Sequence, residues 1–404
     1  MPNICFYFQL HQPYRLRDFS IFDIGNDAQY FSDSEENSNR AIFQKVAQKS
    51  YLPMLSLLYD ITQEVEDFCF AISCSGVFLD QALAYEPKVI SLLQKLLHTG
   101  KVEILAETYY HSLASLYSRS EFTKQVELHT KKVQELFGVT PEVFRNTELV
   151  YSNAIAQMVA DLGFKGMLTE GVPHYLQGRE KTRVYYNLDL RLPLLLKHSE
   201  LSDDIAFRFS DRNWHSFPLT AEKYLEWVEI YGEDHYVNLF MDFETFGEHQ
   251  WADTGIFTFF RRFVKTFVER PWNHFKTPSQ VIDEVVTSKT IEKDFKKSYT
   301  YDVHSPISWA DVNRDLTAWI DNDFQRDTLH KVYAMENQIL ETKNDALLSD
   351  WRMLQTSDHF YYMCTKWSAD GDVHAYFSPY KSPHEAYRRY SIVLADIYER
   401  LLSV

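Results

Sequence analysis

The sequence predicts an α/β fold, a parallel (β/α) barrel over residues 1–300 followed by an α-helical region over residues 301–404 packed on it. Three observations carry that expectation. Short apolar runs alternate with helically spaced runs roughly every 30 to 40 residues, the signature of βα units. Polar residues gather where the strands end, at His11, Ser75, Glu107, Glu148, Glu170 and Asp242, as in a barrel whose chemistry sits at one rim. Beyond about residue 300 the helical spacing continues with no strand between the helices.

Taken in order, Asn3 to Leu10 is an apolar strand, stopped by His11-Gln12-Pro13 because proline holds its predecessor extended. Residues 25–40 are polar and read as a loop, and Ile42 to Tyr59 has helical spacing. Phe68 to Ile72 is a strand, and no Gly-x-Ser-x-Gly elbow follows it, so no hydrolase serine is expected there. Pro87 to His98 is a helix closed by Gly100, and Val102 to Ala106 is a strand ending at Glu107. Glu121 to Phe137 is a helix closed by Gly138, and the strand Glu142 to Phe144 ends at Arg145-Asn146-Thr147-Glu148. Ala154 to Leu162 is a helix closed by Gly163, and Lys165 to Leu168 is a strand ending at Thr169-Glu170. The apolar runs Val184 to Tyr186, Leu192 to Leu196 and Ile205 to Phe209 are compatible with strands or with excursions. Helices over Ala221 to Tyr231 and Ile256 to Val268 flank a strand from Tyr236 to Met241, and Thr277-Pro278 starts another helix. The later helices are expected over Asn313 to Ile320, Asp327 to Thr342, Ala346 to Met363 and from Ser382 to Leu402.

Composition narrows the ligand. A formal net charge of −16 argues against nucleic acid, which needs clustered Lys and Arg. Aromatic residues make up 16% of the chain, more flat surface than a core of this size needs, and sugar rings or bases could stack on the surplus. The four cysteines Cys5, Cys69, Cys74 and Cys364 form no CxxC pair, so neither a zinc knuckle nor a redox dithiol is expected. The N-terminus lacks the features of a signal peptide and no apolar run approaches membrane-spanning length, so a cytoplasmic protein with no membrane partner is expected.

The chemistry concentrates at Asp242-Phe243-Glu244-Thr245-Phe246-Gly247-Glu248-His249-Gln250-Trp251, directly after a buried strand. On an extended backbone Asp242 and Glu244 point to one face, between the apolar bulk of Phe243 and Phe246. Two carboxylates at a strand end suit acid/base work, and Trp251 suits a ring-stacking platform. The acidic loop from Lys366 to His374 does not match an EF-hand, so no metal is expected there.

Five stretches together resemble the family 57 glycoside hydrolases, in particular their α-amylase-like members. They are His11-Gln12-Pro13; Gly100-Lys101-Val102-Glu103-Ile104 with Glu107; Phe144 to Leu149; Met241 to His249; and Leu354-Gln355-Thr356-Ser357-Asp358-His359-Phe360. Two positions depart from the family pattern: Lys101 stands where Gln is usual, and His359 where Trp often follows Ser-Asp. The resemblance implies an irregular seven-stranded (β/α) barrel, a helical bundle after it, and retaining hydrolysis of α-1,4 bonds in starch, glycogen or maltooligosaccharides. It implies Glu148 as nucleophile and Asp242 as acid/base; no metal and no cofactor are expected. A 4-α-glucanotransferase would use the same residues.

A retaining glycosidase needs its two carboxyl groups about 5–5.5 Å apart, one ionised and one protonated. Arg145 and His11 are candidates to keep Glu148 ionised, since a nearby cation lowers a carboxylate's pKa. Phe243 and Phe246, and the charge of Glu148, would retain the proton on Asp242. Gln12, Glu107, Glu244, His249 and Asp358 are candidates to hold sugar hydroxyls, with Trp251 stacking on a ring; Glu244 could equally pair with a buried Arg, and Trp251 could only cap the barrel. Two rivals use the same residues differently: a metal-dependent polysaccharide deacetylase with His11, His111 and Asp242 as ligands, and a glucan-binding protein without turnover.

Overall fold

The structure is a computed structural model that describes residues 2–31, 38–189, 191–232, 235–287, 298–366 and 378–403. Among the described residues, seven parallel strands form an irregular barrel in two sheets, with a short eighth, also parallel, at the edge of the N-terminal strand. The first sheet runs β3 (Val102–Ile104), β2 (Phe70–Cys74), β1 (Asn3–Leu10), β8 (Tyr236–Asp242). The second runs β4 (Val143–Arg145), β5 (Gly166–Glu170), β7 (Pro193–Lys197), with the two-residue β6 (Tyr185–Tyr186) antiparallel on β7. The short β9 (His274–Phe275) pairs with β1 at Asn3 and Ile4, below the stretch from Tyr7 that pairs with β2.

Two seams join the sheets. At one, Ala106 bridges in parallel to Phe144, with Ala106 N–H donating to Val143 O (2.9 Å) and Arg145 N–H to Ala106 O (2.8 Å). At the other, His198 N–H donates to Asn238 O (2.8 Å), and the Asn238 side-chain amide donates to Leu196 O (2.9 Å). A single buried Asn thus sews β8 to β7 where strand pairing is incomplete, which satisfies a carbonyl that burial would otherwise leave unpaired.

Alternation along β1 fixes its two faces. Ile4, Phe6, Phe8 and Leu10 pack outward under helices, while Cys5 and Tyr7 join Ala71, Leu105, Leu168, Leu195 and Phe240 inside the barrel. The aromatic surplus goes mainly into the outer layer, where Phe6, Phe8, Phe68, Phe246, Phe260 and Phe275 meet edge-on or stacked. The expectation that it supplies sugar-binding surface therefore gives way to a core role for these rings. All four cysteines are buried and free. Among the described residues no helix is long and apolar enough to cross a membrane.

Several elements differ from expectation. The helix expected from Ile42 runs from Asn39 to Glu64 with a π turn at Ala47–Tyr51, and a helix at Gly76–Tyr85 follows β2 directly, capped by Ser75. Ile205 ends a helix, Ser199–Ala206, rather than starting a strand, because His198 Nδ1 accepts from Leu201 N–H and starts a turn there. Asn313 to Ile320 is a run of turns rather than a helix. Arg314 has a left-handed φ of 54°, and the Asp315 carboxylate takes Thr317 N–H and hydroxyl, which compete with helical pairing. The helical run after Asp345 breaks at Leu354–Thr356, between Asp345–Met353 and Ser357–Tyr361, and Asp323–Ala334 and Glu336–Thr342 are separate helices. Loop residues 32–37 and the acidic segment 367–374 lie outside the described residues.

The C-terminal helices are tied to the barrel by a buried ion pair. Arg352 donates Nε to Glu121 Oε1 (2.9 Å) and Nη2 to Oε2 (3.0 Å), and Gln125 bridges Glu121 to Gln355. Removing one partner of such a pair leaves an uncompensated buried charge. Arg352→Leu is therefore expected to destabilise the fold by about 3–5 kcal/mol. The double variant Glu121→Leu/Arg352→Leu is expected to recover most of that loss in urea unfolding, and a double variant as unstable as the single would contradict the reasoning.

Candidate active site

The rim where the strands end brings side chains from four strands and the C-terminal region onto one carboxylate. β4 ends at Arg145, and Thr147–Leu149 is a single 3₁₀ turn in which Glu148 has φ 56°, ψ 24° and Leu149 has φ 51°. Left-handed geometry is costly for residues with a Cβ and persists only when surroundings hold it. Glu148 is held on both sides. Its backbone carbonyl accepts from Trp309 N–H (3.1 Å), its Oε2 from Trp309 Nε1–H (2.7 Å) and its Oε1 from Ser357 Oγ–H (3.3 Å), and His111 Nε2 lies 3.3 Å from the same Oε1. Burial pushes the Glu148 carboxyl up, but the His111 hydrogen bond and charge, with Arg145, prevail and hold it below the ordinary range.

Asp242, the last residue of β8, sits opposite Gln9 of β1 in register. Burial first, and then the negative charge of Glu148, raise its carboxyl to about 6, against the lowering pull of Arg145, Lys197 and His111. The two carboxyl groups thus diverge within one environment, one favouring ionisation and the other protonation.

Around them stands a ring of paired groups. His11 Nε2 lies 3.0 Å from Asp358 Oδ2, and its Nδ1 is 2.6 Å from Ser75 Oγ. Its ring stacks on that of His111 at 3.9 Å and 18°. Burial and the neighbouring His111 lower the pKa of His11; although burial opposes it, His11 holds Asp358 well below the usual carboxylate range. Glu107, wholly buried, accepts from Gln9 Nε2 (3.1 Å) and from His111 Nδ1 (3.0 Å). Burial raises Glu107, yet His111, Arg145 and His129 bring it down to about 2. Arg145 is buried with its guanidinium 5.0 Å from the centre of the Trp309 ring, and Lys197 lies 5.3 Å from the same ring.

The remaining predicted residues are placed differently. Glu244 is buried and accepts from the Tyr51 hydroxyl; burial and the charge of Asp242 push it up to about 8. Its neighbour is thus a tyrosine rather than an arginine. Gln12 accepts from Arg15 through its side chain (3.0 Å) and from Gln81 through its backbone carbonyl (2.7 Å). His249 is half-buried, its N–H donating to Glu244 O (2.9 Å), with burial lowering its imidazole to about 4. Trp251 is 57% exposed with Lys49 over one face, and the indole that touches the carboxylate is Trp309 instead. Gly247 explains its own presence in the motif: its φ is 108°, and a Cβ there would lie 1.9 Å from Lys49 O, in the π turn.

Sequence reasoning missed Trp309, Ser357 and Lys197 and weighed His111 only as a metal ligand. Lys197 and Ser357 carried a signal, one as the strand-end residue after Leu192 to Leu196, the other beside Asp358 in a quoted stretch. Trp309 carried none, because its segment has no regular structure. In the structure both nitrogens of His111 are spent on carboxylates. Among the described residues no group of three or more His, Cys, Asp or Glu is disposed to hold a metal ion.

A barrel rim that lowers one carboxyl and raises a second beside it suits the chemistry of a glycoside hydrolase. The chain belongs to glycosyl hydrolase family 57, whose model matches residues 5–294. A protein of Methanocaldococcus jannaschii named as a candidate alpha-amylase is 39% identical across 97% of this chain and 83% of its own length. The branching enzyme of Thermococcus kodakaraensis superposes with a TM-score of 0.71 at 14% identity, covering 99% of this chain and 90% of its own. The 4-alpha-glucanotransferase of Thermococcus litoralis superposes with a TM-score of 0.64 at 14% identity over 89% of this chain, which spans 56% of that enzyme. Trp309, Ser357 and Asp358 lie beyond the matched segment, so the C-terminal region supplies contacts that the barrel lacks.

The divergent carboxyls set a pH profile. A reaction that used ionised Glu148 with protonated Asp242 would lose the Asp242 proton as pH rises through about 6. On an unactivated glucan kcat/KM is therefore expected to fall above about pH 6, with its acid limb below the ordinary carboxylate range. A profile level from pH 5 to 8 would contradict the assignment.

Proposed function

We propose that the chain is a retaining α-glucan hydrolase that cleaves α-1,4 bonds through a covalent glycosyl-enzyme. The observation that carries this reading is a half-buried pair of strand-end carboxyl groups, Glu148 held by His111, Ser357 and Trp309, and Asp242 raised by burial and by the charge of Glu148. Glu148, ionised and fixed by three donors, attacks C1 as the bond from C1 to the leaving oxygen breaks. Asp242 gives that oxygen its proton, which requires the proton to be present at working pH. In the second half Asp242, now ionised, takes a proton from water, whose oxygen attacks C1 and releases Glu148.

The sugar is held by what surrounds the pair. Asp358 is proposed to take a sugar hydroxyl, oriented by His11, whose two ring nitrogens are engaged with Asp358 and Ser75. Arg145 and Lys197, on the Trp309 ring, keep that indole against the nucleophile and balance the negative charge. Glu107 and Glu244 are engaged with His111 and Tyr51, which supports supporting roles for both rather than direct contact with a sugar. Names among the related proteins, an alpha-amylase candidate, a branching enzyme and a 4-alpha-glucanotransferase, are consistent with an α-glucan as the substrate.

The test uses soluble starch and maltooligosaccharides with wild type, Glu148→Gln and Asp242→Asn, reading reducing ends and product lengths. Wild type is expected to release new reducing ends, Glu148→Gln to lose about a thousandfold or more, and Asp242→Asn about a hundred- to ten-thousandfold. Redistributed chain lengths without new reducing ends would replace hydrolysis by glucan transfer. Unchanged turnover in either variant would overturn the residue assignment.

A further inference from the structure

His111 takes no part in the bond changes just described, yet it touches the nucleophile. Its Nδ1 lies 3.0 Å from Glu107 Oε2 and its Nε2 lies 3.3 Å from Glu148 Oε1. A neutral imidazole has one N–H and one lone pair, so between two carboxylates one end would set a lone pair against an oxygen anion. An imidazolium donates at both ends. The ring lies stacked on that of His11 at 3.9 Å, and its backbone sits in a left-handed turn at φ 50°. His111 N–H donates to Thr108 O (3.1 Å), and its carbonyl accepts from Ser357 N–H (2.9 Å). Glu107 is rooted in the barrel interior through Gln9, which in turn accepts from Tyr7 and Ser73.

We propose that His111, held as an imidazolium by Glu107, is the positioning residue of the nucleophile: it fixes the Glu148 carboxylate in one orientation and keeps it ionised for attack. The proposal rests on the reading of Glu148 given above. His111 transfers no proton in the reaction, and Glu148 carries its electron pair into the new bond at C1 while Asp242 supplies the proton to the leaving oxygen. The charged and titratable groups facing His111 are Glu107 after β3, Arg145 and Glu148 at the end of β4, Asp242 at the end of β8, His11 after β1, and Asp358 from the C-terminal region. Burial and Arg145 oppose its charge, but Glu107 and Glu148 outweigh them and raise it to about 9. Burial and the charge of His111 lower the pKa of His11, since two stacked imidazoliums would repel.

With starch, loss of the Asp242 proton near pH 6 hides any later titration. An α-glucosyl fluoride needs no proton to leave, so its first-turnover fluoride burst bypasses Asp242. The burst rate is expected to stay level past pH 7 and fall only near pH 9. Glu107→Gln is expected to move that fall down by about two pH units, with KM changed less than about threefold, and His111→Gln to slow the burst about a hundredfold. Nitrogen NMR of histidine-labelled, substrate-free protein gives an independent reading, with the His111 signals identified by their loss in His111→Gln. Both ring nitrogens are expected to carry protons at pH 7.5 in wild type, and to titrate about two units lower in Glu107→Gln. Titration of His111 below about pH 7 in wild type, or a Glu107→Gln variant with unshifted titration and an unshifted burst, would overturn the proposal. Absence of fluoride release at every pH would overturn the glycosidase reading itself, a failure that the NMR titration keeps separate.

Discussion

Two carboxyl groups that share one half-buried site cannot both be ionised cheaply, and the rest of this rim decides which one gives way. Burial raises both Glu148 and Asp242. What separates them is the donors. Glu148 receives hydrogen bonds from His111, Ser357 and Trp309, whereas Asp242 has no hydrogen-bond donor to its carboxyl among the described residues. Each donor stabilises the charged form of Glu148, and the resulting charge then penalises ionisation of Asp242. The asymmetry is therefore self-reinforcing: ordering one carboxylate keeps the proton on the other.

The fold spends strain and specialised backbone to achieve this. Seven non-glycine residues have positive φ among the described residues, and His111, Glu148, Leu149, Asp311 and Arg314 all belong to segments that build the rim. Asp311 and Arg314 shape the loop that presents Trp309, and that loop is pinned by Lys366 to Asp311 (2.6 Å) and by Arg314 to Asp203 (2.8 Å). The turn after Asp242 rests on the π turn at Ala47–Tyr51, which offers the Tyr51 hydroxyl to Glu244 and packs its Lys49 carbonyl against Gly247. A π turn re-aims successive side chains, and here it aims them at the loop after β8.

How much of this was legible follows from where each signal lives. Strand ends were readable because an apolar run stops at a polar residue, so His11, Glu107, Glu148 and Asp242 surfaced together. The same rule would have found Lys197 had Leu192 to Leu196 been assigned to the barrel. Hydrogen-bond partnership was not readable. Nothing in the spacing of His111 and Glu148 says that they meet, since left-handed turns place both side chains. Trp309 lies in a segment whose shape is set by ion pairs to distant residues, and local sequence does not encode those. The expected helix at Asn313 to Ile320 failed for the same reason, with Asp315 and Arg314 drawn into that network. Aromatic content misled in the other direction, because outer-layer packing of Phe on Phe absorbs rings that composition alone could not assign.

The central claim is that Glu148 is the group that becomes covalently attached to the sugar while Asp242 handles the proton. Asp242→Asn incubated with an α-glucosyl fluoride tests it most directly, since the fluoride leaves unaided and the missing base slows hydrolysis of the intermediate. Mass spectrometry of the digested protein is predicted to find one glycosyl unit on the peptide carrying Glu148, and none after Glu148→Gln is added. A glycosyl unit on any other residue, or turnover of the fluoride with inversion at C1 and no trapped adduct, would contradict the account.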